Sequence, residues 1–536
     1  MSFNQISSWR RSSNKLRQSE AWLECLCLFS LCLATAILFL LNLANLPLLD
    51  PFEGRLASIA KEIHQSTDIK SWIFPTLWGE PFRLKSPLIC YLVAILYRIA
   101  GVSELTTRFP GALLGALSVI LVYFIGREIF VARLPALYSA LVYLTCLPVV
   151  RYCRLATMDG ALLSFELLTI WAVLRSRRNL QWTLITGLGF SLLSMTKGLF
   201  AWQILVIVML FLWWDTPRLI TSTYFWLGLA IGAIPGIAWY GVQLLWLHPG
   251  DGWNWFGLWS AQTSTLAIVS ESISSWLHWG LFFFPWVLIM FAGTQSIQHN
   301  FHWGWGRLLA TWLFGYIILG FLILPQAHWL VLPVFPPLAL AAGKQLDQIR
   351  NLPSYVEYPR IWVYGFALVS ALAALAALNW GIHEYIDFYL PFVCGSLSIT
   401  FGATAVVIAQ QDKQFILLLF WGLFVSILLL IISPHWIWEL REVEPIKPIA
   451  QLLEQYTEAD SVIYSSTIIE RPSLSFYSDR QIIKGSILEL KQHWHQDTPA
   501  YLLLDLATAK KLNLPQEAIV KNEQFNSIGW LLAVKR

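Results

Sequence analysis

The sequence predicts an all-α polytopic membrane protein of about thirteen transmembrane helices, followed by a small soluble α/β domain. Three observations support this fold class. Of the 536 residues, 57% are hydrophobic and 13% are charged, a balance that soluble globular domains do not show. Apolar runs of roughly twenty residues, the length that crosses a bilayer, recur along the chain. From about Trp438 onward the composition turns polar.

The N-terminal segment combines a basic tail with the first apolar run. Residues 1–20 contain four Lys or Arg residues, and an apolar run follows from Ala21 to Leu41. This run is longer than the apolar region of a signal peptide, and no small-residue cleavage site follows it. We therefore interpret residues 1–20 as a cytoplasmic tail and the run as a retained first helix.

Apolar runs define the predicted spans, and flanking charge defines their direction. The predicted spans are 21–43, 109–126, 134–150, 160–174, 181–196, 198–214, 221–246, 279–297, 304–324, 328–343, 361–380, 388–410 and 413–433. The stretch 88–100 is shorter, and counting it as a span would move every later loop to the other side. Without it, the loops richest in Lys and Arg lie on the cytoplasmic side, as the positive-inside rule requires. We therefore predict that 88–100 is an interfacial or re-entrant helix.

After the tail at residues 1–20, this topology divides the chain into two parts. Residues 21–437 form the membrane domain, with a first extracytoplasmic loop at 44–108 and a Trp-rich loop at 247–278. Residues 438–536 form the soluble α/β domain, which an odd number of spans places outside the cytoplasm. The net charge of +4 is spread over many loops without a long basic tract, which excludes a nucleic-acid partner.

Seven basic residues violate the positive-inside pattern, because the topology places them at the outer ends of the early helices. They are Arg83, Lys85, Arg98, Arg108, Arg151, Arg154 and Lys197. A cluster of cations at the edge of the bilayer suits a phosphate or pyrophosphate headgroup. The alternative is that they are scattered side chains that extend to the interface without binding anything.

Three carboxylates are candidates for chemistry at the same face. Asp50 and Glu53 lie in LLDPFEGRLASIAKEI just after the first helix. Arg55 lies at the start of the short helix that this segment predicts, which also contains Glu53. Asp159 lies in RYCRLATMDGALLSFE at the outer start of the fourth helix. Such carboxylates can act as a general base, and Glu53 with Asp159 can also bind a divalent metal ion. The alternative for the first-loop acids is complementation of a helix dipole.

Glu166, two turns deeper than Asp159, is either part of this site or a buried hydrogen-bonded acid. Lys85 in RLKSPLICYL and Lys197 in SMTKGLFAW are candidate phosphate ligands, and Gly198 allows close backbone approach beside Lys197. The Trp-rich loop suits contact with a polyprenyl chain, or else rests in the headgroup region as an interfacial helix.

The order of several motifs resembles the glycosyltransferase-C superfamily. These motifs are the acidic-Gly-Arg segment, K-x-P-L, R-F-P-G-A-L-L-G-A, M-D-G-x-L, T-K-G, F-F-P-W and H-W-L-V-L-P-V-F-P-P-L-A-L. The resemblance covers roughly residues 20–345 and is greatest to the bacterial branch that contains aminoarabinose transferases and relatives of protein O-mannosyltransferases.

The resemblance implies transfer of a sugar from a polyprenyl-phosphate donor to an extracytoplasmic acceptor, with or without a divalent metal ion. It further implies that Glu53 or Asp50, together with Asp159, are the catalytic carboxylates and that Lys85 holds the donor phosphate. The implied location is the inner (plasma) membrane of a bacterium.

The chain departs from the family pattern at three places. Phe52 stands where the family has an Asp before the Glu. The loop between His248 and His278 contains no Arg, although relatives offer one to the phosphate there. Near residue 326, where relatives have a Lys, this chain has Gln326 and His328.

We therefore predict an integral membrane glycosyltransferase that uses a lipid-phosphate sugar donor. Asp50 or Glu53 is the predicted base, and Asp159 is its partner or a metal ligand. The predicted donor-phosphate ligands are Lys85 and, as weaker candidates, Arg83, Arg151, Arg154 and Lys197; Arg55 and His328 are further candidate contacts to donor or acceptor. The rival hypotheses are a catalytically degenerate lipid-binding scaffold and a transporter. Transporters typically carry repeats and mid-membrane charges, which this sequence does not show.

Overall fold

The computed structural model describes most of the chain as α-helix. The described residues are 3–81, 88–198, 201–246, 283–289, 302–323, 328–353, 357–383, 388–437, 446–458, 461–466, 471–496, 499–512, 514–515, 518–520 and 530–535. The Trp-rich loop at 247–278 and the segment containing Arg83 and Lys85 lie outside these ranges.

The helices of the membrane domain run from α1 to α17. They are α1 (Phe3–Leu40), α2 (Phe52–Gln65), α3 (Ile69–Ile73), α4 (Leu88–Ala100), α5 (Glu104–Ile129), α6 (Arg133–Leu144), α7 (Leu147–Arg154), α8 (Asp159–Ser176), α9 (Trp182–Lys197), α10 (Ala201–Asp215), α11 (Pro217–Ile220), α12 (Thr223–Trp246), α13 (Gly304–Ile323), α14 (Phe335–Arg350), α15 (Arg360–His383), α16 (Tyr389–Ala409) and α17 (Phe415–Ile432). Two 3₁₀ helices, His328–Val334 and Pro434–Trp436, and a short hairpin, β1 (Thr76–Leu77) with β2 (Glu80–Pro81), complete this part.

Six described helices are long and apolar enough to cross a membrane, so the chain is a multi-pass membrane protein. These are the apolar part of α1 with α5, α12, α15, α16 and α17. The pair α6 and α7 adds a seventh span if it is counted as one, although it bends by 59°. The sequence predicts a span at 134–150, and the structure divides this stretch between α6 and α7. Pro148 lies in the first turn of α7, a position that starts a new helix more readily than it continues an old one.

Helix α4 has 13 residues, corresponding to about 20 Å at the usual helical rise. It is therefore too short to cross a hydrocarbon core about 30 Å thick. It packs against α2 and α5, and Arg98 near its C-terminus donates to the carbonyl of Ser66 just beyond α2. The helix thus packs beside the first loop, and its interfacial or re-entrant position stays a prediction.

Ion pairs join many helix ends at one face of the membrane domain. Glu24 of α1 accepts hydrogen bonds from Arg127 of α5 and Arg133 of α6. The next two networks link the ends of α5, α8 and α10 with the start of α13. They are Glu128 with Arg175 and Arg178, and Asp215 with Arg177 and Arg307. The basic residues that the sequence assigns to the cytoplasmic side at these positions therefore share a face.

Residues 446–535 form a mixed four-stranded sheet with flanking helices. The strands are β3 (Val462–Ser465), β4 (Gln481–Lys484), β5 (Ala500–Asp505) and β6 (Trp530–Lys535). The helices are α18 (Ile446–Tyr456), α19 (Pro472–Ser478), α20 (Ile487–Gln496) and α21 (Leu506–Leu512). The strand order is β4-β3-β5-β6, in which β3 pairs parallel with β4 and β5, and β6 pairs antiparallel with β5. We call this part the C-terminal unit.

Candidate functional site

Glu53 lies at the start of α2 and is completely buried. Its two carboxylate oxygens accept four hydrogen bonds. Arg108 donates from Nε to Oε1 at 2.9 Å and from Nη2 to Oε2 at 2.7 Å. The backbone N–H groups of Leu49 and Ala156 donate at 2.7 Å and 2.6 Å. The burial of this carboxylate is therefore offset by a bidentate ion pair and by two backbone donors.

Arg108 lies one turn into α5 and is also completely buried. A capping box between Ser103 and Thr106 fixes the start of α5 and so the depth of Arg108. Besides Glu53, its guanidinium donates to three carbonyl oxygens in the chain that follows α1. The carbonyls belong to Leu43, Leu46 and Pro47, at 2.9, 2.7 and 2.7 Å. All five N–H groups of the guanidinium are thereby used.

Arg154 secures the C-terminal end of α1 in a similar way. It is fully buried, and it donates to the carbonyls of Leu38 and Leu41 at 2.7 Å each. These carbonyls lack helical partners and carry the negative end of the helix dipole, so a cation is favourable there. The ring of Trp436 packs under both arginines, with its centroid 5.4 Å from the Arg108 guanidinium and 4.7 Å from that of Arg154.

These contacts bear on three predicted roles. Arg154 donates to the end of α1, and Arg151, which is also buried, donates from Nε to the carbonyl of Trp436 at 3.0 Å. Both guanidinium groups therefore hold the backbone together, and this geometry does not favour either as a donor-phosphate ligand. Glu53 already accepts four hydrogen bonds, which favours a role in holding helices over that of a general base, and its catalytic role stays a prediction.

Asp159 presents a different environment at the first residue of α8. The hydroxyl of Thr157 donates to Oδ2 at 3.0 Å. The other oxygen, Oδ1, is buried and receives no hydrogen bond from the described residues, and the ammonium of Lys197 lies 3.5 Å from it. The residue is 8% exposed. Asp159 thus combines partial access, one loose ion pair and spare acceptor capacity.

Lys197 reaches Asp159 from the last residue of α9. The next residue, Gly198, has φ +61° and ψ −127°, a conformation that side chains other than glycine's rarely adopt. Beside it, the hydroxyl of Tyr240 donates to the carbonyl of Ser194 at 2.6 Å and so ties α12 to this turn. The T-K-G motif therefore has a local reason, because the glycine ends α9 where the lysine meets Asp159.

Asp50 points toward the C-terminal unit. It accepts hydrogen bonds from the backbone N–H of Ser473 at 2.8 Å and from the Ser473 hydroxyl. Burial raises the pKa of Asp50, against the lowering effect of these hydrogen bonds. Phe52, which replaces the family's Asp, is 67% exposed, and Arg55 is half-buried. Of the three predicted catalytic carboxylates, two are therefore engaged in structural contacts.

The remaining predicted ligands lie beyond what the structure describes. Arg83 and Lys85 are outside the described residues, and so is the side chain of His328. Their assignment to the donor or the acceptor stays a prediction.

A metal ion at Glu53 does not fit the donor set, because four N–H groups already occupy its oxygens. Among the described residues, no group of three His, Cys, Asp or Glu side chains is placed to hold a metal ion. The metal requirement itself stays a prediction.

The sequence did not reveal two of the buried contacts. Arg108 was recognised only as one of several outer cations, although an arginine at the start of an apolar run opposite a first-loop acid is a signal for an ion pair. Glu166 is completely buried and accepts a hydrogen bond from Nε1 of Trp312 at 2.9 Å. It is therefore the buried hydrogen-bonded acid that the sequence left as one of two alternatives.

Comparison with known proteins gives consistent similarities in sequence and in fold. A family model described as dolichyl-phosphate-mannose-protein mannosyltransferase matches residues 84–240. An undecaprenyl phosphate-α-4-amino-4-deoxy-L-arabinose arabinosyl transferase of Pseudomonas fluorescens is 27% identical over 334 residues, which is 59% of this chain and 59% of that protein. A similarly named transferase of Pseudomonas paraeruginosa is 26% identical over 65% of each chain. These matches thus span about three fifths of the length of the relatives.

Solved structures of ArnT from Cupriavidus metallidurans share the fold. The apo structure superposes with a TM-score of 0.73 at 16% identity, covering 96% of this chain and 98% of that one. The structure bound to undecaprenyl phosphate gives the same TM-score at 15% identity. In sequence this chain is thus similar to bacterial aminoarabinose transferases and, over residues 84–240, to the mannosyltransferase family model, and it shares the fold of ArnT.

Proposed function

We propose that the chain transfers a sugar from a polyprenyl-phosphate donor to an acceptor at the extracytoplasmic face of a bacterial inner membrane. The names of the relatives support a donor of this class, and so does the undecaprenyl phosphate bound to the ArnT structure. The proposal includes about thirteen spans, a cytoplasmic N-terminus and an extracytoplasmic C-terminal unit. The acceptor is a lipid, a glycan or a protein.

The observation that carries this proposal is the pair formed by Asp159 and Lys197. It combines a carboxylate oxygen that receives no hydrogen bond from the described residues with a cation 3.5 Å away. The pair lies where the first loop meets the starts of α5 and α8. An ion pair of this length is weak enough to open when a better partner for the cation arrives. A donor phosphate is such a partner, because it offers several charged oxygens to the ammonium.

The chemistry follows from these two groups. The bond between the anomeric carbon and the phosphate oxygen breaks while the acceptor heteroatom bonds to the anomeric carbon. Lys197 neutralises the charge that develops on the leaving phosphate, and Lys85 is proposed to assist it. Asp159, released from Lys197, accepts the proton that the acceptor hydroxyl or amine loses.

Because position 52 has no acid, we assign the role of proton acceptor to Asp159. With Phe52 in that position, Glu53 bound to Arg108 and Asp50 bound to Ser473, Asp159 is the predicted catalytic carboxylate whose Oδ1 receives no hydrogen bond from the described residues. Phe52 is exposed on the same short segment and offers an apolar face to a donor or acceptor sugar.

Substitution of Asp159 tests the proposal, and the chain provides a matched control. Asp347 in α14 is also an aspartate near 10% exposure, and it also faces a lysine, Lys344, at 3.7 Å. Membranes containing each variant are incubated with undecaprenyl phosphate that carries radiolabelled 4-amino-4-deoxy-L-arabinose. We expect Asp159→Asn to lower transfer by about 10²–10⁴-fold and Asp347→Asn to leave it near the wild-type rate.

Unchanged transfer by Asp159→Asn would refute the assignment. If the wild-type chain transfers none of this sugar, mass spectrometry of lipids and glycans from a deletion strain will identify another missing sugar. If the deletion strain lacks no sugar and the purified chain still binds undecaprenyl phosphate, the chain is a lipid-binding scaffold. The exposed Phe52 in place of an acid is the observation that favours this second candidate function.

A further inference from the structure

The C-terminal unit packs directly onto α2 through α19. Ser473 at the start of α19 donates twice to Asp50, and the backbone of Ser473 lies against Gly54. Lys61, two turns further along α2, donates to the carbonyl of Phe476 at 3.3 Å and to Asp479 at 2.7 Å. The helix that carries Glu53 is therefore held along its outer face.

The same unit also holds the start of α5. The hydroxyl of Tyr477 donates to Glu104 at 3.0 Å and accepts from the backbone N–H of Leu48 at 2.9 Å. Lys447 of α18 pairs with the same Glu104 at 2.5 Å. Since Arg108 lies one helical turn after Glu104, the C-terminal unit contacts both helices that meet in the buried Glu53 and Arg108 ion pair.

This ion pair leads on to the candidate site. Oε1 of Glu53 accepts the backbone N–H of Ala156, which lies in the loop between α7 and α8. The same loop contains Thr157, whose hydroxyl holds Asp159. Hydrogen bonds connected by short backbone segments thus run from Ser473 and Tyr477, through the two helix starts and Glu53, to the loop that presents Asp159.

We propose that the C-terminal unit positions the 155–159 loop, and that Asp50, Gly54 and Ser473 are positioning residues in this connection. The inference rests on the proposed function only in that the loop presents the reacting carboxylate. It gives the C-terminal unit a role that does not require contact with substrate. It also moves Asp50 from the role of a base to that of a docking residue.

Gly54 shows how closely the two parts fit. A Cβ atom at this position would lie 2.2 Å from the backbone nitrogen of Ser473 and 2.7 Å from its Cα. Both are backbone atoms, which cannot turn aside as a side chain can. Replacement by alanine therefore separates α19 from α2, whereas alanine is otherwise well tolerated in a helix.

Substitution of Asp50 by asparagine distinguishes docking from catalysis, because asparagine keeps the docking hydrogen bonds but cannot act as a base. An asparagine oxygen can accept the Ser473 N–H, and its amide can donate to the Ser473 hydroxyl. A base, in contrast, cannot be replaced by an amide. We therefore expect Asp50→Asn to keep docking and transfer, and Asp50→Leu and Gly54→Ala to impair both.

The experiment measures amide hydrogen exchange of the purified full chain together with transfer kinetics. In Asp50→Leu and Gly54→Ala, we expect peptides spanning 153–158 to exchange at least about tenfold faster, because the loop loses its fixed anchor. The kcat should fall by about 10²-fold through misplacement of Asp159, with little change in the donor KM. Asp50→Asn should match the wild type in both measurements.

Two results would overturn the inference. One is unchanged exchange in 153–158 when exchange in 472–478 shows that α19 has separated. The other is an inactive Asp50→Asn variant with wild-type exchange, which would make Asp50 a base. If exchange responds as expected while even the wild-type chain transfers no sugar, the connection stands and the proposed function fails.

Discussion

Two buried acidic centres meet at the 155–159 loop, and they differ in how fully they are satisfied. Glu53 is inaccessible and accepts four hydrogen bonds, two of them from Arg108. Asp159 accepts one hydrogen bond from Thr157 and faces Lys197 across 3.5 Å. A saturated ion pair resists rearrangement and so fixes helices, whereas an unsaturated one can exchange partners during a reaction. The comparison favours a structural role for the first centre, and our proposal places the chemistry at the second.

Removal of the cation from the Glu53 centre should have the largest effect. Arg108→Met leaves Glu53 buried without its partner, and the expected loss of unfolding free energy is about 3–5 kcal/mol. The measurement is the yield and thermal unfolding of the purified chain in detergent. A well-folded Arg108→Met chain that has lost only activity would reverse the roles of the two centres.

Removal of the cation from the Asp159 centre should affect activity while the fold survives. Lys197→Met is expected to lower transfer by about 10²–10³-fold, because the positive charge that stabilises the leaving phosphate is lost. Lys344→Met removes the lysine of the matched pair in α14 and serves as the control. If both variants transfer sugar equally well, Lys197 has no special role.

A third acid, Glu166, sharpens the distinction because it is buried in the same helix as Asp159. Trp312→Phe removes the hydrogen bond from the Trp312 indole to Glu166 and should lower the unfolding free energy by about 1–3 kcal/mol. Transfer by the variant that remains folded should stay near the wild-type rate. A large loss of transfer at unchanged thermal stability would extend the reacting centre down to Glu166.

The smallest effect is expected at the rim of the C-terminal unit. Lys61 and Asp479 form an ion pair in which the aspartate side chain is 59% exposed. Lys61→Met should change stability by less than about 1 kcal/mol, since exposed ion pairs contribute little. Comparison of its thermal unfolding with that of Gly54→Ala tests whether close backbone fit outweighs charge in this docking surface.

The sequence by itself determined that the chain crosses a membrane several times, and it predicted the face at which the candidate site lies. Apolar runs and the side preference of Lys and Arg depend on the local cost of burying charge in lipid, so they can be read residue by residue. They indicated a multi-pass chain and predicted a surface position for 88–100, and the order of motifs indicated a resemblance to the glycosyltransferase-C superfamily. The bend at Pro148 was missed because a run of apolar residues does not show where a helix breaks.

Only the tertiary structure decided which charges are available. Glu53, Asp50 and Asp159 are alike in sequence, as outer-face acids near the starts of helices. Their roles diverge because Arg108, Ser473 and Lys197 reach them from distant parts of the chain. The availability of a carboxylate depends on how many donors already surround it, and long-range packing sets that number. The pattern of the sequence located the acids, and the packing distinguished the one with spare acceptor capacity from those whose oxygens already bind donors.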